Sequence, residues 1–307
     1  MKAEVYIISG FLGAGKTTLI QKLLREYFPG SKTALIENDF GEVSVDASLF
    51  RSGGFEVKEI NSGCICCSLA GDFITAMEEI LRKIAPEKII IEPSGVGKLS
   101  DVISACSDGR LSSFIELRSK ITVIDSLRFY KYLDNFGEFF EDQIRQADKL
   151  VLSRSETSAQ LEQIKEELAR LNPKAEIFDG PFAELDSGEL MIAGPSLSGL
   201  LSLISSAKEE HHRHTAEDTF DTLTLRPLIA YDPADLRRRM ERLGEGDFGQ
   251  VLRCKGVLKT KEGVILVQFL PESIDIRFID HEEEPILCII GHQLQRERIT
   301  TLFQEAR

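Results

Sequence analysis

The segment GFLGAGKT (10–17) constrains the fold more than any other stretch of the chain. It fits G-x-x-x-x-G-K-[S/T] in the context that gives the pattern meaning. It follows the apolar, β-branched run EVYIIS (4–9) and opens KTTLIQKLLREYF (16–28), where Leu19, Ile20, Leu23, Leu24 and Tyr27 recur at helical spacing. Glycines at 10, 13 and 15 let the backbone wrap a phosphate at close range, and the amides and helix N-terminus supply partial positive charge. Lys16 would reach the β- and γ-phosphates of a nucleotide and Thr17 would ligate Mg²⁺, with Ala14 and Thr18 completing the phosphate loop.

The first half of the chain repeats this alternation of strand and helix. TALIE (33–37), FEVKEI (55–60), KIIIE (88–92), KITVID (120–125) and KLVLS (149–153) read as strands. Several are continuously apolar, as strands covered on both faces of a parallel sheet must be. DFITAMEEILRKI (72–84) puts Phe73, Met77, Ile80, Leu81 and Ile84 on one helical face, and further helices are expected at 97–107, 137–148 and 157–171. The polar stretch SAKEEHHRHTAEDT (206–219) has no apolar period and reads as a linker. Beyond it, strands are expected at 219–225, 249–260, 263–270, 274–279 and 286–291, with helices at 233–243 and 293–305. The fold class is therefore α/β: a nucleotide-binding domain with a mostly parallel sheet, then a smaller α+β domain. The expected division is 1–205, a histidine-containing linker at 206–218, and 219–307.

A formal net charge of −13 argues against a general nucleic-acid surface and is compatible with cation binding. No apolar run approaches the ~20 residues of a membrane span, and the N-terminus lacks a secretory pattern. The six cysteines fall at 64, 66, 67, 106, 254 and 288, which is not the spacing of a disulfide scaffold. A cytoplasmic chain with reduced thiols is the expectation.

Two further segments bear on phosphate chemistry. IIIEPSG (89–95) ends an apolar strand in Glu92, placed to hold the Mg²⁺ shell, and Gly95 would offer its amide to a γ-phosphate. ENDFGEVSVD (37–46) mixes carboxylates with a glycine, as a loop that orders around γ-phosphate and Mg²⁺ would. Between them lies GCICCSL (63–69). Cys64, Cys66 and Cys67 read as soft metal ligands for Zn²⁺, Cu(I) or Co²⁺, as a redox pair at Cys64 and Cys67, or as a buried thiol cluster. Cys67 lies near the start of a helix, which favours thiolate. Three thiolates leave a coordination position open, and Glu37, Glu42 or a histidine would complete it. His211, His212 and His214 read equally as metal-capturing or as solvated linker, while Cys106, Cys254, Cys288, His281 and His292 read as structural.

Taken together, GFLGAGKTTL (10–19), ENDFGEVSVD (37–46), GCICCSL (63–69), EPSG (92–95), VLRCKGVL (251–258) and CIIGHQL (288–294) resemble the CobW-like P-loop GTPases, a family of metal chaperones or metal-insertion proteins. The resemblance covers nearly the whole chain. It implies GTP hydrolysis, a metal site at Cys64, Cys66 and Cys67, and delivery to a client metalloprotein or cofactor-assembly enzyme, with oligomerisation left open. Where the family carries Asn-Lys-x-Asp for guanine, this chain has SRSE (153–156), so Ser153, Arg154 and Glu156 would read the base with relaxed specificity, and ATP stays open. Asp39 stands where the family often has glutamate, and the histidine tract is only HHRH (211–214). No catalytic glutamine or arginine finger stands out, so intrinsic hydrolysis is expected to be slow. A nucleotide-dependent activator of corrinoid assembly and a non-catalytic metal sensor or reservoir are the competing readings.

Overall fold

A computed structural model describes residues 2–37, 56–59, 70–191, 220–271, 273–279 and 285–304. The segments carrying Asp39, Glu42, Cys64, Cys66, Cys67, His211, His212, His214 and His281 lie outside the described residues.

The first region is a seven-stranded parallel sheet in the order β3-β2-β4-β1-β5-β6-β7. Its strands are β1 (Ala3–Gly10), β2 (Thr33–Glu37), β3 (Glu56–Glu59), β4 (Lys88–Glu92), β5 (Ile115–Asp125), β6 (Lys149–Ser153) and β7 (Glu176–Phe178). The helices are α1 (Lys16–Glu26), α2 (Ala70–Lys83), α3 (Leu99–Cys106), α4 (Phe129–Arg145), α5 (Leu161–Leu171) and α6 (Ser187–Met191). Alternate residues of the central strands feed two different cores. Val5, Ile7, Ile36, Ile89 and Ile91 pack on one face with α2 to α5, and Tyr6, Ile8, Leu35, Ile90 and Val123 on the other with α1 and α6. This is the period-two split of strands buried on both sides.

Most elements fall where the sequence predicts them, and the departures have physical causes. β5 begins at Ile115, five residues before the predicted start, because its first half alternates outward polar residues such as Glu116 with inward Leu117 and Ser119. Only the second half, from Ile121, is continuously buried. α4 spans 129–145 rather than 137–148. Its buried face is built from Phe129, Tyr132, Phe136, Phe139 and Phe140, residues of middling helix propensity, and its backbone leaves helical geometry at Phe136, beside Gly137. Predicted helix 157–171 divides into a 3₁₀ turn (Ser155–Thr157) and α5. The three-residue β7 and five-residue α6 are too short for a periodicity signal.

The second region is a five-stranded antiparallel sheet in the order β11-β10-β9-β12-β8. It comprises β8 (Asp221–Leu225), β9 (Gln250–Lys259), β10 (Val264–Leu270), β11 (Ser273–Ile279) and β12 (Ile286–His292), with helices α7 (Pro233–Leu243) and α8 (Arg296–Gln304). α7 starts at its predicted residue because Asp232 caps it: its carboxylate accepts from the amides of Ala234 at 2.9 Å and Asp235 at 3.1 Å, with Pro233 in the first turn. Phe220, Leu252 and Ile290 of this region join the core of the first sheet, where Phe220 packs on Phe11, Phe136 and Phe139 with ring centroids 6.3, 5.4 and 5.3 Å apart. No helix among the described residues is long and apolar enough to cross a membrane.

Candidate nucleotide and metal site

β1 and β5 are neighbours, but the chain leaves β1 toward β2 on one side and β5 toward β6 on the other. A crevice opens at the carboxyl ends of strands where connections diverge in this way. The glycine loop lies there. Gly10 is in register with Val123 of β5 at a φ of 144°, and an added Cβ would sit 2.3 Å from the Val123 carbonyl oxygen. Only glycine permits this approach of loop to strand. Gly13, at φ 69°, faces the second sheet, where a Cβ would meet the Leu270 side chain at 2.4 Å.

Lys16 opens α1 and is buried. Its Nζ donates to the Phe11 carbonyl at 3.4 Å and lies 3.9 Å from Oε1 of Glu92 at the end of β4. Glu92 is in register with Glu37, the buried last residue of β2. Two carboxylates, the half-buried Thr17 and a lysine thus share the sheet edge that the phosphate loop covers. Thr17 and Glu92 are hard oxygen donors, a pair whose chemistry fits Mg²⁺. Thr18 is exposed and Ala14 is buried in the loop. Gly95 presses on the loop from the β4 side, with the Leu12 amide nitrogen 2.9 Å from where its Cβ would be.

On the other flank, Ser153 is buried at the end of β6 with its hydroxyl on the Ile124 carbonyl at 3.3 Å. Arg154 follows in the left-handed region at φ 56°, and Glu156 is exposed in the 3₁₀ turn. Among the residues that the sequence proposes for nucleotide or Mg²⁺, contacts link Lys16 to Glu92, Gly95 to Leu12 of the loop, Ser153 to Gly15 and Arg154 to Gly13, whereas Thr18 and Glu156 are exposed.

It also adds residues that no motif names. Asp125 ends β5 with no exposed side-chain surface and takes both Arg128 (2.7 Å) and Arg154 (2.6 Å) on Oδ2. Arg154 also donates to the Gly13 carbonyl, and Arg128 to the Pro271 carbonyl at 2.9 Å beyond β10. Gln143 of α4 donates to the carbonyls of Gly95 (3.3 Å) and Gly97 (2.7 Å). Tyr132 donates to the Leu12 carbonyl at 3.3 Å, and burial pushes its hydroxyl pKa up to about 12. Phe182, in the turn after β7, covers Gly15, and that turn is held by Ser155 accepting from the Gly180 amide at 2.8 Å. The spacing of aspartate and arginine at 125 and 128 carries no recognisable pattern, so these contacts emerge only in three dimensions.

The thiols divide by environment. Cys106 and Cys254 are buried, Cys288 is half-buried, and burial pushes Cys106 up to about 12 and Cys254 well above the ordinary thiol value. Neither buried thiol is suited to metal binding. No group of three or more potential metal ligands occurs among the described residues.

Residues 4–179 match the family described as CobW/HypB/UreG, nucleotide-binding domain. The chain belongs to this family. Residues 220–307 match the Cobalamin synthesis protein cobW C-terminal domain, so the CobW pattern extends through both sheets. Among relatives, the chain is 27% identical to the zinc chaperone YjiA of Escherichia coli, over 99% of this chain and 98% of the relative. It is 30% identical to the zinc chaperone CobW of a Sinorhizobium species, over 89% and 87%. The crystal structure of Zn(II)-bound YjiA GTPase from E. coli aligns over 99% of this chain and 98% of that one, with 22% identity and a TM-score of 0.49.

Proposed function

We propose that this CobW-family chain is a GTP-hydrolysing metallochaperone. In this reading Cys64, Cys66 and Cys67, with Glu37 and Glu42, bind zinc or cobalt as cargo for a client metalloprotein or cofactor-assembly enzyme. The observation that carries the reading is topological. The chain leaves β2 at Glu37 and β3 at Glu59, both at the sheet edge where Lys16 and Glu92 lie 3.9 Å apart. The two segments tethered there are 38–55, with most of the acidic switch sequence, and 60–69, with the three thiols. Nucleotide and cargo metal would then act on one another over a short path, and the zinc-chaperone names of the relatives support the cargo.

Each described residue has a role in this scheme. Lys16 would exchange its loop carbonyl for phosphate oxygens, and the backbone of 10–18 and Gly95 would cradle the phosphates. Thr17 and Glu92 would hold Mg²⁺, which supplies charge neutralisation at the phosphates when bound. Ser153, Arg154 and Glu156 would line the base, with Glu156 accepting from guanine N1 and N2. Arg154 is already tied to Asp125 and Gly13, which leaves purine selection to Glu156 and makes ATP a competitor. We place the functional division at 1–205, 206–218 and 219–307, in keeping with the two sheets, and the working compartment in the cytoplasm.

The test is a competition titration of Zn²⁺ and Co²⁺ against a chelator, without nucleotide, with GDP and with non-hydrolysable GTP, alongside a Cys64/Cys66/Cys67→Ala variant. Thiolate-to-Co²⁺ bands that vanish in the variant, with an affinity that changes with nucleotide, are expected. By linkage, metal must then change nucleotide affinity by the same factor. Equal metal affinity in all three states rejects coupled delivery, and absence of thiol-dependent binding rejects the chaperone.

A further inference from the structure

A second concave site lies far along the chain from the phosphate loop, between α7 and α8. It is a cavity of about 480 Å³, within the range of small-molecule sites, and four arginines line it against two carboxylates. That is a local excess of positive charge on a chain whose formal net charge is −13.

One of the arginines is buried and fixed, and two more share an aromatic ring. Arg239 is only 7% exposed, with its Nε on Asp235 at 2.7 Å and Nη1 on the Leu302 carbonyl. Its remaining Nη2 donors have no protein partner among the described residues. The guanidinium carbons of Arg242 and Arg298 lie over the Phe248 ring, 5.8 and 5.6 Å from its centroid. A cation–π contact of this kind draws a guanidinium toward the ring without using its N–H donors. Arg242 has no carboxylate partner among the described residues, whereas Arg298 has only a 3.5 Å exposed contact with Asp247. Planar, pre-positioned forks suit oxyanions, which they bind in bidentate fashion.

We propose that this cavity binds a small organic polyanion bearing two or more carboxylate or phosphate groups. Arg242 and Arg298 are its principal partners, and the buried Arg239 is the inner anchor. The phosphate loop plays no part, so the site stands or falls independently of the nucleotide reading.

The test is calorimetric titration of the metal-free full-length chain with citrate and with pyrophosphate at fixed chloride. It is repeated on Arg242→Gln, Arg242→Lys and Lys16→Ala. The expected result is saturable binding of at least one probe at a site that persists in Lys16→Ala and is weakened at least tenfold in Arg242→Gln. Arg242→Lys should fall between, because it keeps the charge and loses the fork. Lys16→Ala should retain the binding. Citrate and pyrophosphate arms separate a carboxylate ligand from a phosphate ligand. Absence of binding, binding indifferent to Arg242→Gln, or binding lost in Lys16→Ala overturns the proposal. So does capture of a glutamate-rich peptide with neither small probe bound. Arg242 is exposed, so its replacement leaves the packed core intact.

Discussion

Asp125 and Arg154 form a 2.6 Å ion pair in which the carboxylate is completely buried and the arginine is partly open to solvent. The pair joins the end of β5 to the loop after β6, and through the Gly13 carbonyl it reaches the phosphate loop. Arg154 holds a left-handed backbone conformation that costs a non-glycine residue about 1–2 kcal/mol, which these contacts offset. Removing the carboxylate strands Arg128 as well, itself only 10% exposed at the side chain. Asp125→Ala should therefore lose about 3 kcal/mol in urea denaturation. A midpoint equal to wild type would show the network to be dispensable.

The contact between Gly13 and Leu270 can be isolated by a double-mutant cycle. Gly13→Ala forces a methyl into the Leu270 side chain and strains a φ of 69°. Leu270→Ala removes the first problem and not the second. A coupling of about 1 kcal/mol is expected between the two substitutions. Strict additivity in thermal or chemical unfolding would mean that the loop and the second sheet do not press on one another.

Gln143 holds the turn that presents Gly95. Gln143→Leu keeps the bulk but orphans two buried carbonyls, at about 1–3 kcal/mol each. On the proposed chemistry, kcat for GTP should fall about tenfold, equivalent to about 1.4 kcal/mol, while KM changes little. Steady-state kinetics that show a KM effect alone would assign the residue to nucleotide binding rather than to the γ-phosphate turn.

Alkylation separates the buried thiols from those proposed as ligands. With Cys106 at about 12, roughly one molecule in ten thousand carries its thiolate at pH 8. Cys106 and Cys254 should resist iodoacetamide in the native chain and react fully in denaturant, as read by peptide mass spectrometry. Cys64, Cys66 and Cys67 should react early and be protected by zinc. Early labelling at Cys254 would contradict its burial.

The second sheet should show an acid-dependent loss of stability with a definite sign. The Arg239 hydrogen bond, with a smaller contribution from Arg238, holds the Asp235 carboxyl below the usual aspartate range against the opposing effect of burial. A carboxylate depressed in the folded state contributes stability above its unfolded pKa and loses it as pH falls through the lower folded value. Asp235→Asn should flatten this part of the acid unfolding curve. A parallel curve, merely displaced, would assign the pH dependence to other groups.

The sheet was legible because β1, β4 and β6 are continuous apolar runs, and the phosphate loop because its glycines and Lys16 have fixed spacing. α4 was misplaced because aromatic residues and Gly137 blur its helical signal, although those same rings form the wall behind Phe11. Asp125, Arg128 and Gln143 were invisible for a different reason. Asp125 and Arg128 also pair with one another three residues apart, but the partners that tie them and Gln143 to the site are 29, 143 and 48 residues away, and a single sequence carries no record of such distances.

Phe220 is the last residue before β8, yet its ring lies in the aromatic cluster of Phe11, Phe136 and Phe139. Leu252 and Ile290 enter the same core. Heat should therefore melt both sheets together, in one calorimetric peak whose van't Hoff and calorimetric enthalpies agree. Cutting the chain ahead of Phe220 would leave a nucleotide-binding fragment with an aromatic gap in its core, short of the stability that the intact chain has.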